Sequence, residues 1–286
     1  VLFLVAWHVA TYLSVQVAEV SVSFFEWIGW LGGKRFIRRI ALGLTVSGII
    51  LSTLHQGALG ALFNYAPGKV HPLWYSASFQ WIHFFCSSIP AGLCMVIAVS
   101  TVVKKTMAWR CDDNFKDNLD RCTLGLAKGA SLALITYLAI KMIGIAHDNE
   151  WGYLATGWGA WFLFEMVVGV ILPIILFAYA VRHQAVNLAR VGAFVTIFGI
   201  VLNRLNTALI AFNWQLYQEV PHIFEVIIAV TIFAIYVVVY RFILYRLPII
   251  FSWKEQPQEA LAAQAARPAP IKTSTAPIGA MYRKID

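Results

Sequence analysis

The stretch WGAWFLFEMVVGVILPIILFAYAV, Trp158–Val181, decides the fold, because Glu165 is its only charged residue. A helix that crosses a bilayer needs about 20 mostly apolar residues. Lipid offers no hydrogen-bond partner to an open backbone, so a run of this length is satisfied as a helix. Working outward, six further apolar stretches read the same way: roughly 1–28, 39–63, 77–103, 122–146, 190–212 and 222–247. With 158–181 they make seven expected spans, each able to cross with some tilt.

The whole chain agrees. Of its 286 residues, 60% are hydrophobic and 13% charged, with a mean hydropathy of +0.71. A soluble domain is about half apolar and a quarter charged. A soluble enzyme, a disordered chain and a nucleic-acid binder are therefore excluded, despite the net charge of +8. The expected fold class is all-α, a polytopic membrane helix bundle over residues 1–251. Residues 252–286 turn to Ala, Pro, Gln and Thr, which cannot bury a core, and read as a mobile cytoplasmic tail.

Basic residues sort the loops. Lys34, Arg35, Arg38 and Arg39 separate the first two spans, and Lys104, Lys105, Arg110, Lys116 and Arg121 the third and fourth. Arg182 and Arg190 follow the fifth, and Arg246 and Lys254 the seventh, whereas the other loops hold Lys69 alone. Positive loops stay cytoplasmic, which places the C-terminus inside and residue 1 outside. An odd number of upstream helices is then expected. The chain opens on Val1-Leu2-Phe3 with no charged region before it, unlike a signal peptide. Cys86, Cys94, Cys111 and Cys122 have no paired spacing, so neither a disulfide framework nor an iron–sulfur site is expected, and no metal site is read.

Ionisable residues at membrane depth usually face a bundle interior or a cavity. His8, Tyr12 and Glu19 share one face of the first span, which suits either interhelical packing or a proton path. His55, Gln56, Gly57 and Gly60 sit near the outer end of the second, where the glycines admit a neighbour or a flat ligand. His71, beside Pro72, and Trp74 follow in the loop. Glu165, Arg204 and Glu225 fall in the outer half of spans five to seven, as a register-fixing ion pair or an outward polar pocket. Lys128 and Lys141 are expected to snorkel from the ends of span four.

Ser52-Thr53-Leu54-His55-Gln56-Gly57-Ala58-Leu59-Gly60, with Lys69-Val70-His71-Pro72-Leu73-Trp74, resembles the NrfD-like (polysulfide reductase membrane subunit) family. Within it the likeness is to HybB-type membrane subunits of hydrogenase-2-type enzymes. Asn203-Arg204-Leu205-Asn206, Ala211-Phe212-Asn213, Glu225 after Pro221, and Leu247-Pro248 extend the resemblance.

The resemblance implies a ten-helix subunit whose first helices are missing here, in a bacterial or archaeal cytoplasmic (inner) membrane. It implies electron exchange between an extracytoplasmic ferredoxin-like iron–sulfur subunit, serving a hydrogenase or related catalytic subunit, and membrane menaquinone or ubiquinone. It further implies that no haem is expected, that iron–sulfur clusters lie only in the partner, and that protons are translocated in some relatives. On this reading His55, Gln56, Gly57, Gly60 and Trp74 bind the quinone. His55 and His71 meet its carbonyls, Glu165, Arg204 and Glu225 balance charge and protons, and His8, Tyr12 and Glu19 form a proton path. Two alternatives stay open: a haem-bearing b-type cytochrome subunit, and an ion-coupled secondary transporter or channel.

Overall fold

A computed structural model describes residues 2–108, 111, 113–215 and 223–247. The expected tail, 252–286, lies outside the described residues, as do Pro221 and Pro248. The described residues form eight α-helices: α1 Leu2–Ile28, α2 Leu31–Leu62, α3 Gln80–Thr106, α4 Asp113–His147, α5 Gly157–Met166, α6 Leu172–Arg182, α7 Val186–Leu205 and α8 Ile223–Arg246. No strand forms among them; one isolated bridge joins Val70 and Phe212. The all-α bundle expected from the sequence is the fold found.

By length and composition six helical segments can cross a membrane: Leu31–Tyr65, Gln80–Thr106, Phe115–His147, Gly157–Arg182, Val186–Ile210 and Ile223–Arg246. The first expected span forms as the 27-residue α1. Its apolar run is diluted by His8, Thr11, Tyr12, Ser14, Gln16 and Glu19, so it is not among those six. Helix α2 turns back against α1 through Gly29, whose φ of +85° suits a residue without Cβ.

Two π turns interrupt the later spans. Val167–Ile171 joins α5 to α6, and Asn206–Ile210 extends α7. The first has a clear cause. In a regular helix the ring of Pro173 would strike the carbonyl of Gly169, four residues back, and the wider turn lies over that site. Gly169 is also where α7 comes closest: a Cβ there would lie 2.8 Å from the Cα of Gly199. The two glycines let the backbones touch, as small residues do between membrane helices.

The core lies between α3, α4, α5–α6 and α7, with Trp74, Phe162, Phe177, Ile97 and Leu134 almost wholly buried. By contrast, Leu244 is the only buried residue of α8, which is apolar all round, the pattern of a helix facing lipid. At the basic end Asp120 receives Arg190 at 2.7 Å and Lys104 at 3.5 Å, which ties α3, α4 and α7 together.

Candidate functional site

The loop between α2 and α3 is pinned to the chain after α7. His71 N–H donates to the Ala211 carbonyl at 2.9 Å, and Asn213 N–H to the Lys69 carbonyl at 2.6 Å. Pro72 then starts a single 3-10 turn, Pro72–Trp74, which His71 caps by accepting the Leu73 N–H on Nδ1 at 3.2 Å. With Nδ1 an acceptor, the ring proton sits on Nε2, an atom that is buried without a hydrogen-bond partner. Rings of Trp74, Tyr153, Trp158 and Trp214 enclose the imidazole, with centroids 4.7–5.5 Å away. Burial pushes the His71 pKa down to about 4. His71 is thus a neutral plug under the loop, 1% exposed.

The cap delivers Trp74 into the bundle, where its indole N–H donates to Glu165 Oε2 at 2.6 Å. Glu165 is 2% exposed. Asn203 Nδ2 donates to Oε1 at 2.7 Å, and Asn206 Nδ2 makes a short bond to Oε2. All three bonds are donated to the carboxyl group, so both oxygens act as acceptors. The amide oxygens are also engaged: Arg204 Nη1 donates to Asn203 Oδ1 at 3.1 Å, and Trp161 Nε1 to Asn206 Oδ1 at 3.0 Å. Arg204 continues to Ser87 Oγ at 2.6 Å and the Phe84 carbonyl at 3.3 Å, with its guanidinium 3.7 Å above the Phe84 ring. Arg204 and Glu165 therefore meet through Asn203. A cavity of about 10 Å³ adjoins the carboxyl group, lined by Ser87, Pro90, Tyr137, Gly169, Gly199 and Asn203. That is near the lower limit for one water.

A second cluster lies between α1 and α2. The Tyr12 ring packs 5.4 Å from that of His55, whose Nδ1 is buried without a partner. His8 is within electrostatic reach of His55. Further along the same face Glu19 accepts a short bond from Thr45. Gln56 is half-buried beside them.

The sequence-derived residues therefore fall into two groups and some outliers. Trp74, Glu165 and Arg204 belong to one network with His71 above it, while His8, Tyr12 and His55 meet in the other. Glu225 is exposed in the first turn of α8 and makes none of these bonds. The glycines are used for packing. A Cβ on Gly60 would lie 2.7 Å from the Gln80 carbonyl oxygen, and one on Gly57 3.5 Å from that of Trp81, so both bring α2 onto α3.

Lys141 departs from expectation: it is 3% exposed, with its ammonium 5.6 Å from the Phe162 ring centroid, and does not snorkel. Asn203 and Asn206, the residues that hold Glu165, entered the sequence reading only as part of the family resemblance, with no role assigned to them. Their signal was present as two amides flanking an arginine in an apolar run. His83 is buried against Gly144 and Tyr137. Among the described residues no group of three or more His, Cys, Asp or Glu is arranged to hold a metal ion.

Two curated relatives are similar to this chain. A protein of Nitratidesulfovibrio vulgaris, described only as "Protein", is 44% identical over 254 residues, covering 88% of this chain and 65% of the relative. The "Probable Ni/Fe-hydrogenase 2 b-type cytochrome subunit" of Escherichia coli K12 is 22% identical over 258 residues, covering 89% and 64%. The chain thus spans a little under two thirds of the length of each. No family model and no solved structure matches.

The Escherichia coli name overturns the expectation that no haem belongs to a subunit of this kind, since that relative is described as a b-type cytochrome. The residues present suit such a group in donor chemistry. A b-type haem takes axial imidazoles; His55 has an unpartnered buried nitrogen, and His8 on the neighbouring helix acts on it electrostatically.

Proposed function

We propose that this chain is a membrane subunit of a respiratory oxidoreductase complex, NrfD-like in kind, that exchanges electrons between an extracytoplasmic iron–sulfur partner and membrane quinone. The observation that carries the reading is the Glu165 network. A carboxylate, a guanidinium, two amides and an indole are buried together inside an apolar bundle. Ionisable groups at membrane depth are costly and mark sites of function. The similarity to a hydrogenase cytochrome subunit along 89% of the chain supports the redox setting.

Converting quinone to quinol takes up two electrons and two protons, so the site must offer a group that gains and loses a proton near neutral pH. Imidazole does so without a large perturbation. His55 meets the ring carbonyl through its unpartnered nitrogen, with Gln56 beside it. Tyr12, packed on His55, and Glu19, on the same helix face, extend a proton path away from it. His71 and Trp74 do not touch the ring: they close the bundle above Glu165, which with Arg204 sets the charge beneath the loop. The basic loops and the C-terminus face the cytoplasm, and the catalytic partner is a hydrogenase or a related enzyme. In the purified complex, His55→Ala abolishes quinone-linked turnover, while assembly and electron transfer from donor to a soluble dye persist. Normal quinone turnover in that variant overturns the assignment.

A second reading follows from the relative's name and the His8–His55 pairing: a b-type haem held by these two imidazoles. When bound, it would supply one-electron storage between partner and quinone. A stoichiometric b-type band in the reduced visible spectrum, lost in both His8→Ala and His55→Ala, identifies this case. Its absence from the freshly purified complex rejects it.

A further inference from the structure

At the basic end of the bundle α8 stands off from α3 and α7 around a cleft of about 560 Å³, well within the roughly 300–1,000 Å³ of ligand cavities. Its walls are almost entirely apolar and include Ala98, Val102, Phe194, Phe233, Val237 and Leu244. None of the residues placed in the proposed redox site lines it. One residue does not match its surroundings. Arg241 lines the cleft five residues before Arg246, the last residue of α8, which puts it about 7.5 Å further into the helix. It is exposed, and no carboxylate lies within ion-pair distance among the described residues. An unpaired guanidinium at this depth is expensive unless an anion answers it.

We propose that this cleft is a binding site for an anionic phospholipid of the adjoining leaflet, with one acyl chain between α3, α7 and α8 and the phosphate against Arg241. The walls take hydrocarbon but offer almost no polar partner to a headgroup. Arg241 selects a net negative headgroup over a zwitterionic one, as basic pockets between membrane helices do. The Tyr236 and Tyr240 rings, stacked with centroids 6.2 Å apart, form part of the α8 wall.

The test uses the purified complex, delipidated in mild detergent and titrated with dioleoyl phosphatidylglycerol or dioleoyl phosphatidylcholine, with bound lipid counted by native mass spectrometry. The wild-type protein retains phosphatidylglycerol over phosphatidylcholine by about fivefold, the discrimination one basic residue gives at a membrane surface. Arg241→Gln removes that preference and Arg241→Lys keeps it. Val102→Trp, at a half-exposed position on the cleft wall, lowers retention of both lipids without enlarging a buried side chain. Equal retention of the two lipids by the wild type overturns the proposal, as does a preference that survives Arg241→Gln. Displacement of phosphatidylglycerol by a prenylated quinone would overturn it too, by making the cleft a carrier site.

Discussion

Glu165 and Glu19 are each a carboxylate in an apolar helix, yet the fold treats them differently. Glu165 is buried under three donors, two from α7 and its π turn and one from the loop before α3. Glu19 is half-exposed and takes a short bond from Thr45 alone. The contrast extends to their surroundings. Around Glu165 four helices close on one another, helped by the Gly169–Gly199 contact. Around Glu19 only α1 and α2 are present among the described residues, and the outer faces of both are exposed. Burial of charge here depends on amide and indole donors arriving from a second and third element. An apolar sequence around the acid is not enough.

The largest effect is expected where that supply is cut. Glu165→Gln keeps the shape of the side chain but turns an acceptor into a donor facing Trp74, Asn203 and Asn206. It also removes the negative charge that faces Arg204 through Asn203. Removing one partner of a buried charge pair costs about 3–5 kcal/mol, so the variant should unfold much more readily in detergent, as read by denaturant titration. Asn203→Leu should cost less, since it cuts the link between the two charges but leaves Glu165 with Trp74 and Asn206 and Arg204 with Ser87 and the Phe84 carbonyl. A Glu165→Gln protein as stable as the wild type would break the comparison.

His71 sharpens it by pH. Its pKa is pushed to about 4 by burial, against about 6.5 in an unfolded chain. Between these values the unfolded state binds the proton and the folded state does not. Stability is therefore full above about pH 6.5, falls as pH drops toward 4, and levels off below. Thermal unfolding of His71→Gln should show a shallower fall across that window than the wild type. An equal slope in the two proteins would show that His71 does not carry the effect.

The spans were legible because length and composition decide them, and so was the polar character of His55, Glu165 and Arg204. The helices outlast the apolar runs, however. Helix α4 has 35 residues, which at 1.5 Å each exceeds the roughly 30 Å of hydrocarbon, and polar turns near Asp117 and Asp120 continue the rod beyond the expected span. At its other end α4 runs on to His147, six residues past Lys141. That puts Lys141 about 9 Å inside the helix end, under Phe162 rather than at an interface. The pairing of Asn203 and Asn206 on one carboxylate was hidden for a different reason. Three residues apart, the two amides share a face of the helix, but the sequence does not say which neighbour that face meets, and packing brings it to Glu165. Similarly, the glycines of α2 announced a close approach, but packing alone decided that α3 makes it.

The smallest effect belongs to Glu19. Exchange for Gln removes one charge-assisted bond at a half-exposed position and leaves Thr45 able to bond its own helix, as Thr53 does with Ile49. A net hydrogen bond is worth about 0.5–1.5 kcal/mol, and partial exposure places Glu19→Gln at the lower end. Its denaturation midpoint should stay close to the wild type and far from that of Glu165→Gln. If the two variants are destabilised alike, α1 and α2 hold Glu19 in a site as closed as the one around Glu165. A further element would then have to cover the outer face of α1, because the described residues supply no second donor there.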